Sequence, residues 1–164
     1  MKTLHIVRHG KSSWDYAGIS DIDRPLILKG ITNNYHMAER TFQKYGKVDL
    51  IYSSPANRAI HTAIIFAKLI RLNSSYIRIK DELYESSFGS IFNIIENTPS
   101  DINCLMIFGH NPEFTNLVNL FLPDNIDNLP TSGVVTLQFD LTDWSIKKKL
   151  PSDTNVDFPK NEYF

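Results

Sequence analysis

Short apolar runs alternate with longer stretches of helical period along this chain, and most runs stop at a polar or glycine-bearing turn. The runs are Thr3 to Val7, Asp49 to Tyr52, Tyr76 to Ile79, Ile102 to Phe108 and Val134 to Phe139. Between them, Gly30 to Tyr45, Asn57 to Arg71 and Ser90 to Glu96 place apolar residues on one helical face. A short, continuous apolar run suits a strand covered on both sides. The alternation therefore predicts an α/β fold, a three-layer α/β/α sandwich around a mostly parallel sheet. At 164 residues the chain predicts one domain, 1–164, with a single core.

Local signals refine this frame. Gly46 ends the first helix, and residues 11–28 read as a long loop because they lack period and carry Gly18, Pro25 and a Ser/Asp cluster. Asn111-Pro112-Glu113 predicts a helix start, with Asn as cap, Pro at the first helical position and Glu in the first turn. Val134 to Phe139 and Trp144 to Lys148 read as a late strand pair, and residues 151–164 as an extended tail.

Sites in parallel sheets lie beyond the carboxyl ends of the strands. That rule sends Arg8-His9-Gly10, the Ser53 to Arg58 turn and Gly109-His110 to one crevice. An imidazole can attack phosphorus, a guanidinium can hold two oxygens at once, and glycine lets the backbone approach a bulky anion. Alone, the triplet reads better as a polar turn after an edge strand. Arg58 is more telling, because a first-turn position disfavours a cation unless an anion sits in the crevice. Its alternative is a solvated arginine, and that of His110 is a capping or packing residue.

Composition narrows the partners. With 17 basic and 18 acidic residues the net charge is −1, which offers no field for nucleic acid or an anionic membrane. The lone Cys104, in an apolar run, reads as a buried small hydrophobe and excludes an intrachain disulfide. No apolar stretch reaches the roughly 18 residues of a membrane span and no signal-peptide pattern opens the chain, so a soluble cytoplasmic protein is expected. His5, His36 and His61 fall inside strand or helix patterns without ligand spacing, and no metal or cofactor is expected.

Six motifs in order resemble the histidine phosphatase superfamily, also called phosphoglycerate-mutase-like, in its short branch of bacterial phosphohistidine phosphatases. They are Arg8-His9-Gly10-Lys11-Ser12-Ser13-Trp14, Asp23-Arg24-Pro25-Leu26, Ser53-Ser54-Pro55-Ala56-Asn57-Arg58-Ala59 with Thr62, Leu83-Tyr84-Glu85, Gly109-His110-Asn111-Pro112, and Leu129-Pro130-Thr131-Ser132-Gly133. The resemblance covers Met1 to about Phe139. It implies a metal-free phosphatase in which His9 accepts the phosphoryl group while Arg8, Arg58 and His110 surround its oxygens. It also implies a phosphorylated protein as substrate, in signal transduction, with a small phosphomonoester as the alternative; phosphate is then product and inhibitor.

The same resemblance assigns Glu85 as the acid that protonates the leaving group, against its plain reading as an exposed loop carboxylate. Arg24 reaches the phosphate from the long loop, or else pairs with Asp21 or Asp23. Lys11, Ser12 and Asn111 are expected at the substrate-binding rim. Asp15 stands where the wider family often carries asparagine, so no phosphate contact is inferred there.

For attack, one nitrogen of His9 must be unprotonated, which requires the other N–H to be held by an acceptor such as a loop carbonyl. Rival phosphatase chemistries fit poorly. The residues after Cys104 lack the arginine of a cysteine-nucleophile loop, and Asp21-Ile22-Asp23 follows no apolar strand, unlike the paired aspartates of haloacid-dehalogenase phosphatases. A mutase would need substrate-enclosing insertions for which there is little room. A non-catalytic phosphate-binding domain has no reason to carry all four of Arg8, His9, Arg58 and His110.

Overall fold

The computed structural model describes residues 1–160. Six strands form one sheet: β1 (Lys2–Arg8), β2 (Leu50–Ser53), β3 (Ile77–Ile79), β4 (Cys104–Gly109), β5 (Val134–Phe139) and β6 (Asp153–Asp157). Their order is β3-β2-β4-β1-β5-β6, parallel from β3 through β1 and antiparallel for β5 and β6. The helices are α1 (Leu28–Tyr45), α2 (Asn57–Leu69), α3 (Phe88–Glu96) and α4 (Glu113–Asn119).

Strand alternation sorts the core into two layers. Val7, Ile51, Met106 and Phe108 pack with Met37 and Ala38 of α1 and Ala63 and Phe66 of α2. Their neighbours Leu4, Ile6, Tyr52, Leu105 and Ile107 face the opposite way, onto Ile91 and Ile95 of α3 and Phe114 and Leu117 of α4. The central runs are apolar on both sides because both sides are covered, and the three-layer sandwich follows.

Three expectations about secondary structure are corrected. Trp144 to Lys148 is not a strand: Trp144 and Ile146 are buried in the core, and the indole N–H donates to the Ile102 carbonyl at 3.0 Å. The second partner of β5, beside β1, is instead β6, inside the segment expected to be an extended tail. That strand has little apolar character, and side chains of α1 hold it: Arg40 pairs with Asp157 and Lys44 donates to Asn155. Residues 161–164 of the expected tail lie outside the described residues. The third correction concerns α4, where Pro112 occupies the cap position rather than the first turn. Asn111 serves the helix from one residue earlier, its side-chain oxygen accepting the Thr115 N–H at 3.2 Å.

The loop before α1 is pinned at its two ends. Ser12 bridges Leu26, the Ser13 N–H donates to the Pro25 carbonyl, and the Ile27 N–H donates to the Lys11 carbonyl at 3.0 Å. Gly30 permits this closure, since a Cβ there would lie 2.3 Å from the Lys11 carbonyl oxygen. The loop thereby returns over the carboxyl ends of the strands. Cys104, expected to be buried, is only partly so at the start of β4; desolvation, then the charge of Asp49, pushes its thiol up to about 12.

Candidate functional site

β1 and β4 run parallel in register, so Arg8 pairs with Gly109 and the two strands deliver His9 and His110 side by side. The imidazole centroids are 5.0 Å apart. The His9 N–H donates to the Gly109 carbonyl, which ties the two strand ends together. The His9 Nδ1 lies 2.7 Å from the Gly10 carbonyl oxygen. A carbonyl can only accept, so Nδ1 carries the proton and Nε2 keeps its lone pair. Desolvation, together with the charges of His110, Arg58 and Arg8, lowers the His9 pKa to about 3 against the opposing Gly10 hydrogen bond. The ring is held neutral, as a nucleophile requires.

Arg58, in the first turn of α2, donates from Nε to the His9 Nε2 at 3.4 Å. Its Nη1 donates to the Asp21 carbonyl at 2.6 Å and its Nη2 to the Asp21 carboxylate at 3.0 Å. Arg8 approaches from the β1 end, where its Nη1 donates to the Leu129 carbonyl at 2.9 Å and its buried Nε has no protein partner. Desolvation and then Arg58 lower the Arg8 pKa. Cations this close are costly unless an anion joins them.

His110 meets the Ser54 Oγ through Nε2 at 2.7 Å, while its Nδ1 is buried with no protein partner. Desolvation, then Arg58, lowers its pKa to about 4. Tyr84 packs edge-on against His110 at 5.6 Å. Four of the expected residues, Arg8, His9, Arg58 and His110, thus meet around one point from three strand ends.

The remaining expected residues divide. Arg24 is buried and adopts its ion-pair reading, donating from Nη1 to Asp21 at 2.8 Å, from Nε to the Ser13 carbonyl and from Nη2 to the Ser12 hydroxyl. The indole of Trp14 covers its guanidinium at 3.3 Å. Ser12 therefore holds Arg24. The Asn111 amide is spent on structure, donating to Asn128 and to the Leu129 carbonyl, both at 2.9 Å. Lys11 is exposed and joins no hydrogen bond of the cluster among the described residues. Glu85 is exposed beside Tyr84 and has a left-handed φ of 51°.

Two features went beyond the sequence reading. One is the reach of Asp21, expected only as an alternative partner of Arg24: its carboxylate accepts from Arg24 and also from Arg58 and the Tyr84 hydroxyl, the last at 2.9 Å. Desolvation raises its pKa, but the hydrogen bonds from Arg24, Tyr84 and Arg58 outweigh this and hold it at about 2. The other is a buried polar chain beneath His9: Ser132 donates to Asn34, Asn34 to Thr62, and Thr62 also accepts the Gly10 N–H at 2.9 Å. Asn34 falls within the buried stripe Gly30, Asn34, Met37, Ala38 and Thr41 of α1. A polar residue inside an apolar stripe is the signal that could have found it.

The family model for the histidine phosphatase superfamily (branch 1) matches residues 4–100. A Hydrogenobacter thermophilus protein named "Putative phosphoserine phosphatase 2" is 34% identical over 91 residues, which span 54% of this chain and 42% of that protein. The fold resembles that of the protein histidine phosphatase SixA complexed with tungstate, with a TM-score of 0.76, 22% identity and coverage of 95% of this chain and 94% of that one. It also resembles phosphoglycerate mutase from Bacillus anthracis, with a TM-score of 0.61, 14% identity and coverage of 83% and 87%. The family match takes in β1, the arginine-bearing loop and α2 with Arg58, and spans more than half of the sequence, so this chain belongs to the histidine phosphatase superfamily, branch 1.

Proposed function

We propose that this protein is a phosphatase that works through a phosphohistidine on His9, with a phosphohistidine-bearing protein as substrate. The observation that carries the reading is the His9 tautomer: Nδ1–H is held by the Gly10 carbonyl, and Nε2 keeps its lone pair toward Arg58, with the His110 ring alongside. In the first step Nε2 bonds to phosphorus as the bond to the leaving group breaks, and the leaving group takes that electron pair and a proton. In the second, water attacks phosphorus, the N–P bond breaks back to Nε2, and phosphate departs. Arg8, Arg58 and His110 stabilise the charge on the equatorial oxygens, so positioning and electrostatics supply most of the acceleration.

The leaving group separates the substrate classes. An alkoxide needs a proton, which Glu85 would supply, whereas imidazole with a pKa of about 6.5 leaves readily. The exposed setting of Glu85 suits the second case better. The second reading, a small-molecule phosphomonoesterase, draws support from the name of the H. thermophilus relative. The proposal carries a cytoplasmic setting with it, and none of the described helices is long and apolar enough to cross a membrane.

Rates on a phosphohistidine protein, phosphoserine and phosphotyrosine peptides, and sugar phosphates, measured side by side, test this. The expected order puts phosphohistidine first, with Glu85→Gln slowing phosphoesters by at least tenfold more than phosphohistidine. A sugar phosphate in first place overturns the protein substrate. No phosphate release from any of them, nor from an aryl phosphate, overturns the enzyme.

A further inference from the structure

The arginine clamp contains a negative charge of its own. Three guanidiniums converge on the crevice, and Asp21 is the acidic side chain that hydrogen-bonds to two of them. The nearby Asp23 carboxylate is turned to the Ser20 hydroxyl instead, at 2.6 Å. Oδ1 of Asp21 faces Arg24 while Oδ2 faces both Arg58 and the Tyr84 hydroxyl. One carboxylate thus joins the long loop, the first turn of α2 and the loop before α3.

Its geometry on Arg58 is particular. The main-chain and side-chain oxygens of Asp21 take the two Nη groups, leaving Nε on the His9 nitrogen that would attack phosphorus. Asp21 thereby fixes how the guanidinium faces the reacting atom. It also places a negative charge against the far side of the cation that an incoming oxyanion must share. Like charges at such range weaken each other's binding.

We propose that Asp21 is a positioning residue that orients Arg58 on His9 and, as the counter-charge of the clamp, limits how tightly the site holds phosphate, so that product is released. The inference rests on the phosphatase reading above. It separates two effects of one side chain, charge and geometry. In Asp21→Asn the shape, one side-chain oxygen and the Arg58 bond to the Asp21 main chain are retained, whereas the charge is lost. In Asp21→Glu the charge is retained and the geometry is displaced by one methylene.

The test is calorimetric binding of inorganic phosphate together with kcat and KM on an aryl phosphate, with thermal melts as a check on folding. Asp21→Asn should bind phosphate about fivefold more tightly, with KM and kcat both falling. Asp21→Glu should keep phosphate affinity within about twofold of wild type and lose kcat. A purely structural brace predicts the reverse for Asn, weaker phosphate binding and a higher KM, and that result overturns the inference. Should Asp21→Asn fail to fold, Tyr84→Phe carries the test. Losing one donor leaves the carboxylate less neutralised, so phosphate should bind about twofold more weakly, and unchanged or tighter binding overturns the proposal. Wild-type protein that neither binds phosphate nor turns over overturns the phosphatase reading and this inference together. Wild-type protein that does both, beside an Asn variant that binds no tighter, overturns this inference alone.

Discussion

The Nε of Arg58 lies 3.4 Å from the Nε2 of His9, so a cation covers the lone pair that would attack phosphorus. A phosphoryl group reaching His9 must replace that contact with hydrogen bonds that Arg58 donates to the phosphoryl oxygens. The arrangement stores the clamp next to the nucleophile and makes both residues testable. His9→Ala should abolish turnover and the acid-labile phosphoenzyme. Arg58→Lys keeps the charge and loses the planar fork, so kcat/KM on an aryl phosphate should fall by about a hundredfold with the fold intact by circular dichroism.

His110 is oriented by Ser54, which also accepts the Ala56 N–H at 3.2 Å. Ser54→Ala frees the ring and leaves that amide unpaired. Turnover should fall by ten- to a hundredfold with KM nearly unchanged, at a stability cost of about 1 kcal/mol. Steady-state kinetics and a urea melt on the same preparation separate the two effects.

Lys2 is almost fully buried at the start of β1. Its ammonium donates to the carbonyls of Ser100 and Ile102 and to Asn103, at 2.6, 2.8 and 2.9 Å, and lies over the Trp144 ring. Lys2→Ala removes the donor and strands its acceptors, so the protein should lose about 2–4 kcal/mol in a urea melt. The site lies at the other end of β1, and kcat should be unchanged below the melting transition.

Burial holds three histidines neutral: desolvation lowers His5 to about 4, His9 to about 3 and His110 to about 4, from 6.5. Between those values and 6.5 the unfolded chain binds more protons than the folded one, so stability rises with pH across this window and is lost on acidification. Asp21 adds to the loss lower down. Its depressed pKa contributes stability above 3.8 that disappears as pH falls through about 2. Urea melts from pH 8 to pH 4 should show a decline beginning near 6.5, on the order of 3 kcal/mol from His5 alone. A flat profile would contradict the burial of these rings.

Strands β1 to β5 and helices α1 to α3 were legible in the sequence because a buried run and an amphipathic face leave their period in the residues that form them. Trp144 to Lys148 misled because an apolar residue that plugs a core and one that sits in a strand look alike over five positions. The polar run of β6 was invisible for the converse reason. An edge strand is held by backbone pairing and by Arg40 and Lys44 reaching from α1, contacts that leave no period in its own residues.

The meeting of His9, Arg58 and His110 was determined by the sequence alone, since each ends a strand or opens the helix after it, and a parallel sheet brings such positions to one edge. Which residues steer them was decided only by the tertiary structure. Asp21 on Arg58, Ser54 on His110 and the Ser132–Asn34–Thr62 chain act across separations of 28 to 98 residues, through directional contacts that no local pattern encodes. The same holds for the loop contacts that Arg24 makes with Ser12 and that Asn111 makes with Leu129. A short polar side chain satisfies whichever partner the folded chain brings within about 3 Å, and that partner is set by packing.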